Sequence, residues 1–143
     1  MLTLLRKVHL FNGLSAEELE LLANISQEQQ FAAGDLVIEQ NTTGKEVYII
    51  GVGAIDVFVS GLDNERPIVI LGDGQVFGEM ALIDQGYRSA SGRAGKNGCT
   101  VYQIQKDDFN ALCEKHTHIG YVVMRNMAID LAFKLRHRNL AAL

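Results

Sequence analysis

Tryptophan is missing from this chain of 143 residues, and proline occurs once, at Pro67. With so little proline and no low-complexity stretch, nothing reads as a linker, and the length fits a single domain over residues 1–143. Cysteine is scarce as well. Cys99 and Cys113 are the only two, and no CxxC pair occurs, so neither a disulfide framework nor a cysteine-rich zinc site is expected. Both read as structural residues of a protein in the reducing cytosol, so the expected location is cytoplasmic. Long apolar runs are absent: the start, MLTLLRKVHLF, is too short for a membrane span or a signal segment and reads as a lead-in helix. An excess of positive charge is also lacking. Against 17 acidic residues stand 13 Lys and Arg, a net charge of −4, which gains nothing from counterion release and argues against nucleic acid.

What is present begins with a helix start. Ser15 followed by Glu18 makes a capping box, Leu14 and Leu19 supply the hydrophobic staple, and apolar residues then recur at helical spacing over residues 15–24. From Phe31 the period falls to two. Ile55, Val57 and Val59 alternate with Asp56, Phe58 and Ser60, and Thr100, Tyr102 and Ile104 alternate with Val101, Gln103 and Gln105. Glycines punctuate these runs, which predicts about eight short strands in a mainly β fold. Pro67 opens the run IVIL and suits an edge or first position. The β region spans about residues 28–106, and helical spacing returns over about 107–140. Met124, Met127, Leu131 and Leu135 form a near-heptad stripe, and Lys134, Arg136, His137 and Arg138 crowd the end, where cations suit a helix dipole.

One stretch breaks the alternation: Gly74 to Ala94, GQVFGEMALIDQGYRSASGRA. Phe77, Met80, Ala81 and Leu82 predict one or two helical turns packed through an apolar side. Glu79 and Arg88 lie nine residues apart, on opposite sides of the insert. An arginine offers a planar fork of donors suited to phosphate, a carboxylate accepts from a hydroxyl, and a helix start offers free N–H groups. Ser89 adds a hydroxyl, and Ala90 is small enough to let a ligand reach the backbone. Such a set suits a phosphate ester on a sugar hydroxyl. As a plain surface ion pair the same two residues would contribute only ~0–1 kcal/mol.

FGEMAL followed by Arg88-Ser89-Ala90 resembles the phosphate-binding cassette of cyclic-nucleotide-binding domains, the family of the catabolite activator protein and the cAMP-dependent kinase regulatory subunits. GDLVIEQNTTGKEVYIIGVGAIDVFV and LGDGQVFGE resemble its flanks, and about residues 10–138 follow the pattern. The resemblance implies a double-stranded β-helix, or jelly roll, followed by a long C-terminal helix. It implies a regulatory module rather than an enzyme, with cAMP or cGMP as ligand and no cofactor. Glu79 would take the ribose 2′-hydroxyl and Arg88 the cyclic phosphate. Gly78, Met80 and Ala81 would line the short helix, and Ser89 and Ala90 would complete the cradle. The C-terminal helix would close over the base, near Arg138 and Asn139, and in bacterial members forms a homodimer seam. The chain stops before any helix-turn-helix region, so DNA is not an expected partner, and the sequence names no effector protein.

Rival readings carry less. A degenerate β-roll acting as a docking surface would not need the intact Glu79 and Arg88. A cupin-type metal enzyme needs clustered histidines on facing strands, and none falls between Phe31 and Gln105. His116 and His118, two apart in a helical region, point to different faces and do not read as a metal pair. Arg93 falls outside the cassette and reads as solvated, while Ser91-Gly92-Arg93-Ala94 reads as a weakened strand at the rim of the pocket.

Overall fold

The computed structural model describes residues 1–84 and 86–142, with side chains to residue 137. Two helices lead in: α1 (Leu2–Lys7), then a 3-10 turn His9–Phe11, then α2 (Ala16–Asn24). The Ser15 hydroxyl accepts from Glu18 N at 3.2 Å and the Glu18 carboxylate accepts from Ser15 N at 3.0 Å, so the capping box forms in full. Six strands follow: β1 (Ser26–Phe31), β2 (Leu36–Ile38), β3 (Glu46–Ser60), β4 (Glu65–Leu71), β5 (Val76–Phe77) and β6 (Ser91–Gln105). They form one antiparallel sheet in the order β1-β6-β3-β4, with β2 paired to β6 and β5 to β3. α3 (Lys106–Lys115) and the long α4 (Thr117–Ala142) complete the chain.

The strand count differs from the expected eight because several glycines bend strands instead of ending them. β3 and β6 each run for 15 residues, with register shifts at Ile50/Val52 and Gly53/Ile55. Gly53 at φ +100° and Gly98 at φ +73° sit at this corner, where a Cβ on Gly53 would press on the Gly98 carbonyl. Only glycine allows that approach, and the bend curls the sheet into a roll. Pro67 lies in the edge strand β4, opposite Phe58 and beside the register shift at Val57/Phe58, the kind of position that tolerates proline.

β3 begins with both faces buried. Val47 and Ile49 point to a core shared with Leu5, Leu19, Leu22, Phe109, Ile119 and Val123, whereas Tyr48 and Ile50 point into the roll beside Ile55, Val57 and Val101. Period-two alternation thus distributes one strand between two cores. Truncating any fully buried member, such as Leu22 or Ile50, to alanine removes ~2–5 kcal/mol. The stripe on α4 divides in the same way: Met127 is buried and Met124 packs on the helical core, but Leu131 and Leu135 are exposed.

Candidate functional site

β5 ends at Gly78, whose φ of +82° turns the chain out of the sheet into the 3-10 turn Glu79–Leu82. Ala81 and Leu82 are buried beneath it, but Met80 is exposed and Phe77 belongs to β5, so the expected inward helix is one short turn with half its apolar side free. Farther along, Tyr87 bridges to Thr43. Arg88 N donates to Thr42 O at 2.7 Å, and Arg88 O accepts from Asn41 N at 2.9 Å. Those two bonds fix the backbone from which the guanidinium points inward.

Arg88 is 9% exposed, the deepest cation of the chain's described residues. Nη2 donates to Glu46 O at 2.7 Å and to Glu46 Oε2 at 3.4 Å, and Nη1 donates to Gly78 O at 3.2 Å. A guanidinium carries five N–H donors. Nε has no acceptor among the described residues, and no buried side-chain nitrogen or oxygen lacks a partner, so the head keeps open access to the cavity beside it. Two glycines make room for it. A Cβ on Gly44 would collide with Nε, and one on Gly78 would stand 2.6 Å from Nη1.

That cavity has a volume of about 480 Å³, within the ordinary range for a small-molecule site. Gly78, Glu79, Met80, Ala81, Arg88, Ser89 and Ala90 all line it. Glu79 and Arg88 share the cavity without pairing: the carboxylate nearest Arg88 is that of Glu46, and Glu79 has no hydrogen-bond partner among the described residues. The simple ion-pair reading of Glu79 with Arg88 is thereby excluded. Glu79 also borders a second hollow, with Lys7, His9 and Asp130. Burial pushes the Tyr48 phenol up, with Glu46 adding to the shift and Arg88 opposing it.

Several residues here were not legible as site residues. Gly44 and Glu46 sit in a stretch that reads only as turn and strand, and Ile68, Val69 and Leu71 read only as strand. Lys134 reads as a dipole-compensating cation, but α4 runs on to Ala142 and Lys134 stands two turns short of the end, lining the cavity. Arg93, expected to be solvated, is paired: it donates to both Glu65 oxygens at 2.9 and 3.2 Å, and its head lies 4.3 Å from the Phe58 ring centroid. The expected weakness of Ser91-Gly92 is also corrected. The Ser91 hydroxyl accepts from Gln40 N at 2.9 Å, and Gly92 leaves the space that the Phe77 ring fills. His116 caps the end of α3, and His118 bonds to Glu18 at 2.7 Å. The side chains of Arg138 and Asn139 lie outside the described residues. Among the described residues no three His, Cys, Asp or Glu cluster to hold a metal, and no helix is long and apolar enough to cross a membrane.

A curled antiparallel sheet on a jelly-roll plan thus carries a buried guanidinium and an unpaired carboxylate on the walls of one hollow. The chain belongs to the cyclic nucleotide-binding domain family, whose model matches residues 28–116. A cyclic AMP receptor protein of Thermus thermophilus is 33% identical over 132 residues, 92% of this chain and 59% of that protein. A cGMP-dependent protein kinase of Plasmodium berghei is 39% identical over 98 residues, 68% of this chain and 11% of that protein. The chain therefore spans less than two thirds of either relative. The crystal structure of the Thermus thermophilus catabolite activator protein matches with a TM-score of 0.81 at 32% identity, over 94% of this chain and 61% of that one. The regulatory domain of Toxoplasma gondii PKA, solved with cAMP, matches with a TM-score of 0.72 at 28% identity, over 78% of this chain and 42% of that one.

Proposed function

We propose that this domain is a sensor that takes a purine 3′,5′-cyclic monophosphate into the cavity under residues 78–90 and relays its presence through α4, without catalysing a reaction. The observation that carries this reading is Arg88: a buried cation, held mainly by neutral carbonyls, on the wall of a cavity of about 480 Å³. A cyclic phosphate brings the one full negative charge that this guanidinium lacks at ideal distance. Glu79, unpaired on the same wall, accepts the ribose 2′-hydroxyl, and Ser89 and Ala90 close around the phosphate. Gly78 turns the chain there, and Met80 and Ala81 line the approach.

The relay is supported by what α4 touches. Lys134 lines the cavity, and Asp130 bonds to His9 at 2.8 Å beside the hollow that Glu79 also borders. A ligand held by residues on both sides favours one position of α4 over another by its differential affinity. The exposed Leu131 and Leu135, one turn apart at the outer end of the stripe, supply an apolar strip on which two copies pair as a homodimer, leaving the effector to be found among cytosolic proteins.

The test pairs a side chain with a ligand atom. Calorimetric titration with cAMP and 2′-deoxy-cAMP is run on the native protein and on Glu79→Ala. A hydrogen bond to a charged group contributes ~1.5–3 kcal/mol, so either change alone weakens binding about tenfold or more, and both together add little further. Losses that add in full would take Glu79 away from the ribose. Absence of binding by cAMP and cGMP at millimolar concentration would overturn the sensor reading in favour of a docking role.

A further inference from the structure

The cavity treats the parts of a nucleotide unequally. Its β4 and β5 wall, Ile68, Val69, Leu71 and Val76, presents apolar side chains that accept a flat ring without distinguishing its edges. Two of the charged side chains on the lining are committed, and Glu79 is assigned to the ribose. Arg88 is held at the phosphate end, and Asp84 Oδ1 accepts from Gly86 N at 3.0 Å. The hydroxyls of Tyr87 and Ser89 both donate and accept, so they suit either purine. Lys134 differs. Among the described residues it is the one side chain that α4 contributes to the lining, and its ammonium has no hydrogen bond or ion pair there.

An ammonium donates and never accepts. The N7–O6 edge of guanine presents two neighbouring acceptors, whereas the same edge of adenine presents the N7 acceptor beside an N6 amino donor. Lysine can therefore bridge guanine but meets a donor like itself on adenine. We propose that Lys134 reads the purine and makes the cavity selective for cyclic GMP over cyclic AMP. This rests on the reading that the cavity takes a cyclic nucleotide, and deepens it. A good two-point contact of this kind discriminates by about tenfold or more. Discrimination resides at the edge of the base, so phosphate and ribose contacts stay common to both ligands.

Calorimetry with cGMP, cAMP and cyclic IMP, which keeps N7 and O6 but has no 2-amino group, tests this on the native protein, Lys134→Met and Lys134→Arg. Lys134 is exposed on a helix and methionine is a good helix former, so the fold is retained. The expected result is that cGMP and cyclic IMP bind alike, about tenfold tighter than cAMP. Lys134→Met abolishes the difference among the three nucleotides, and Lys134→Arg keeps the preference. The proposal is overturned by a native preference for cAMP, by a cGMP preference that survives in Lys134→Met, or by cyclic IMP binding like cAMP, which would move recognition to the 2-amino group. If none of the three nucleotides binds, the sensor reading itself fails and this one with it, a result distinct from binding without selectivity.

Discussion

Two arginines five residues apart meet opposite fates in this roll. Arg93 lies on the outer surface, clamped by both oxygens of Glu65 and stacked on Phe58. The Arg93 hydrogen bonds hold the Glu65 carboxyl below its usual range, so each charge is fully answered. Arg88 is buried, yet its short contact is to a backbone carbonyl, and its one carboxylate, Glu46 Oε2, stands 3.4 Å away. A saturated cation is finished structure. An unsaturated one, buried and open to a cavity, is the group that the proposed ligand's charge would complete. Sequence spacing separates the two only through the residues around Arg88, since both follow or precede small residues in a glycine-rich stretch.

The contrast is open to direct attack. Arg88→Leu removes one partner of a desolvated charge pair, which costs ~2–5 kcal/mol, so cyclic nucleotide affinity falls about 30-fold or more. Arg93→Leu, measured by the same calorimetry, leaves affinity unchanged, and equal losses in the two variants would erase the distinction. Gly44→Ala ranks next. The added methyl displaces the guanidinium head, so binding weakens by about tenfold while the melting temperature moves little, because the cavity gives the head somewhere to go. Gly92→Ala has the opposite balance. Its Cβ meets the Phe77 ring inside a packed sheet, at a cost of ~1–3 kcal/mol that thermal denaturation reads directly.

The smallest effect concerns pH. Burial raises the Glu18 carboxyl, but hydrogen bonds from Ser15 N and from His118 and Ser15 side chains outweigh it, so the group sits below its usual 4.5. A carboxylate depressed by folding stabilises the fold above its unfolded value, and that contribution disappears as pH falls through the folded one. The melting temperature should hold between about pH 7 and 5 and drop below about 4.5, and Glu18→Gln should blunt the drop. An unchanged acid limb in that variant would mean that other carboxylates dominate.

Much of the molecule was legible because local chemistry and fold agree there. The capping box at Ser15 forms as spelled, and the loss of alternation after Gly74 marks the segment that leaves the sheet. The family resemblance then directs attention to Glu79 and Arg88, which line one hollow. The rest depends on contacts far apart in sequence. Gly44 and Glu46 meet Arg88 across more than 40 residues, and no periodicity carries such a pairing. Lys134 reaches the cavity only because α4 lies back along the N-terminal turn, a packing direction that spacing along one helix does not encode. The glycines at 53 and 98 look like turn residues, yet they sit inside continuous strands, since a left-handed φ serves a bulge as well as a turn.

Asn126 ties α4 to the lead-in segment. Its buried amide donates to Leu10 O at 2.9 Å and to Asn12 O at 3.0 Å, using both protons on the 3-10 turn and its exit. Sliding the helix along its axis would strand two carbonyls and the amide at once, whereas tilting its outer turns breaks nothing at that point. In the proposed relay the segment beyond Asn126 would therefore swing as a lever on a fixed fulcrum, releasing the His9–Asp130 contact, and Lys134, two turns farther out, would travel through an arc rather than a line.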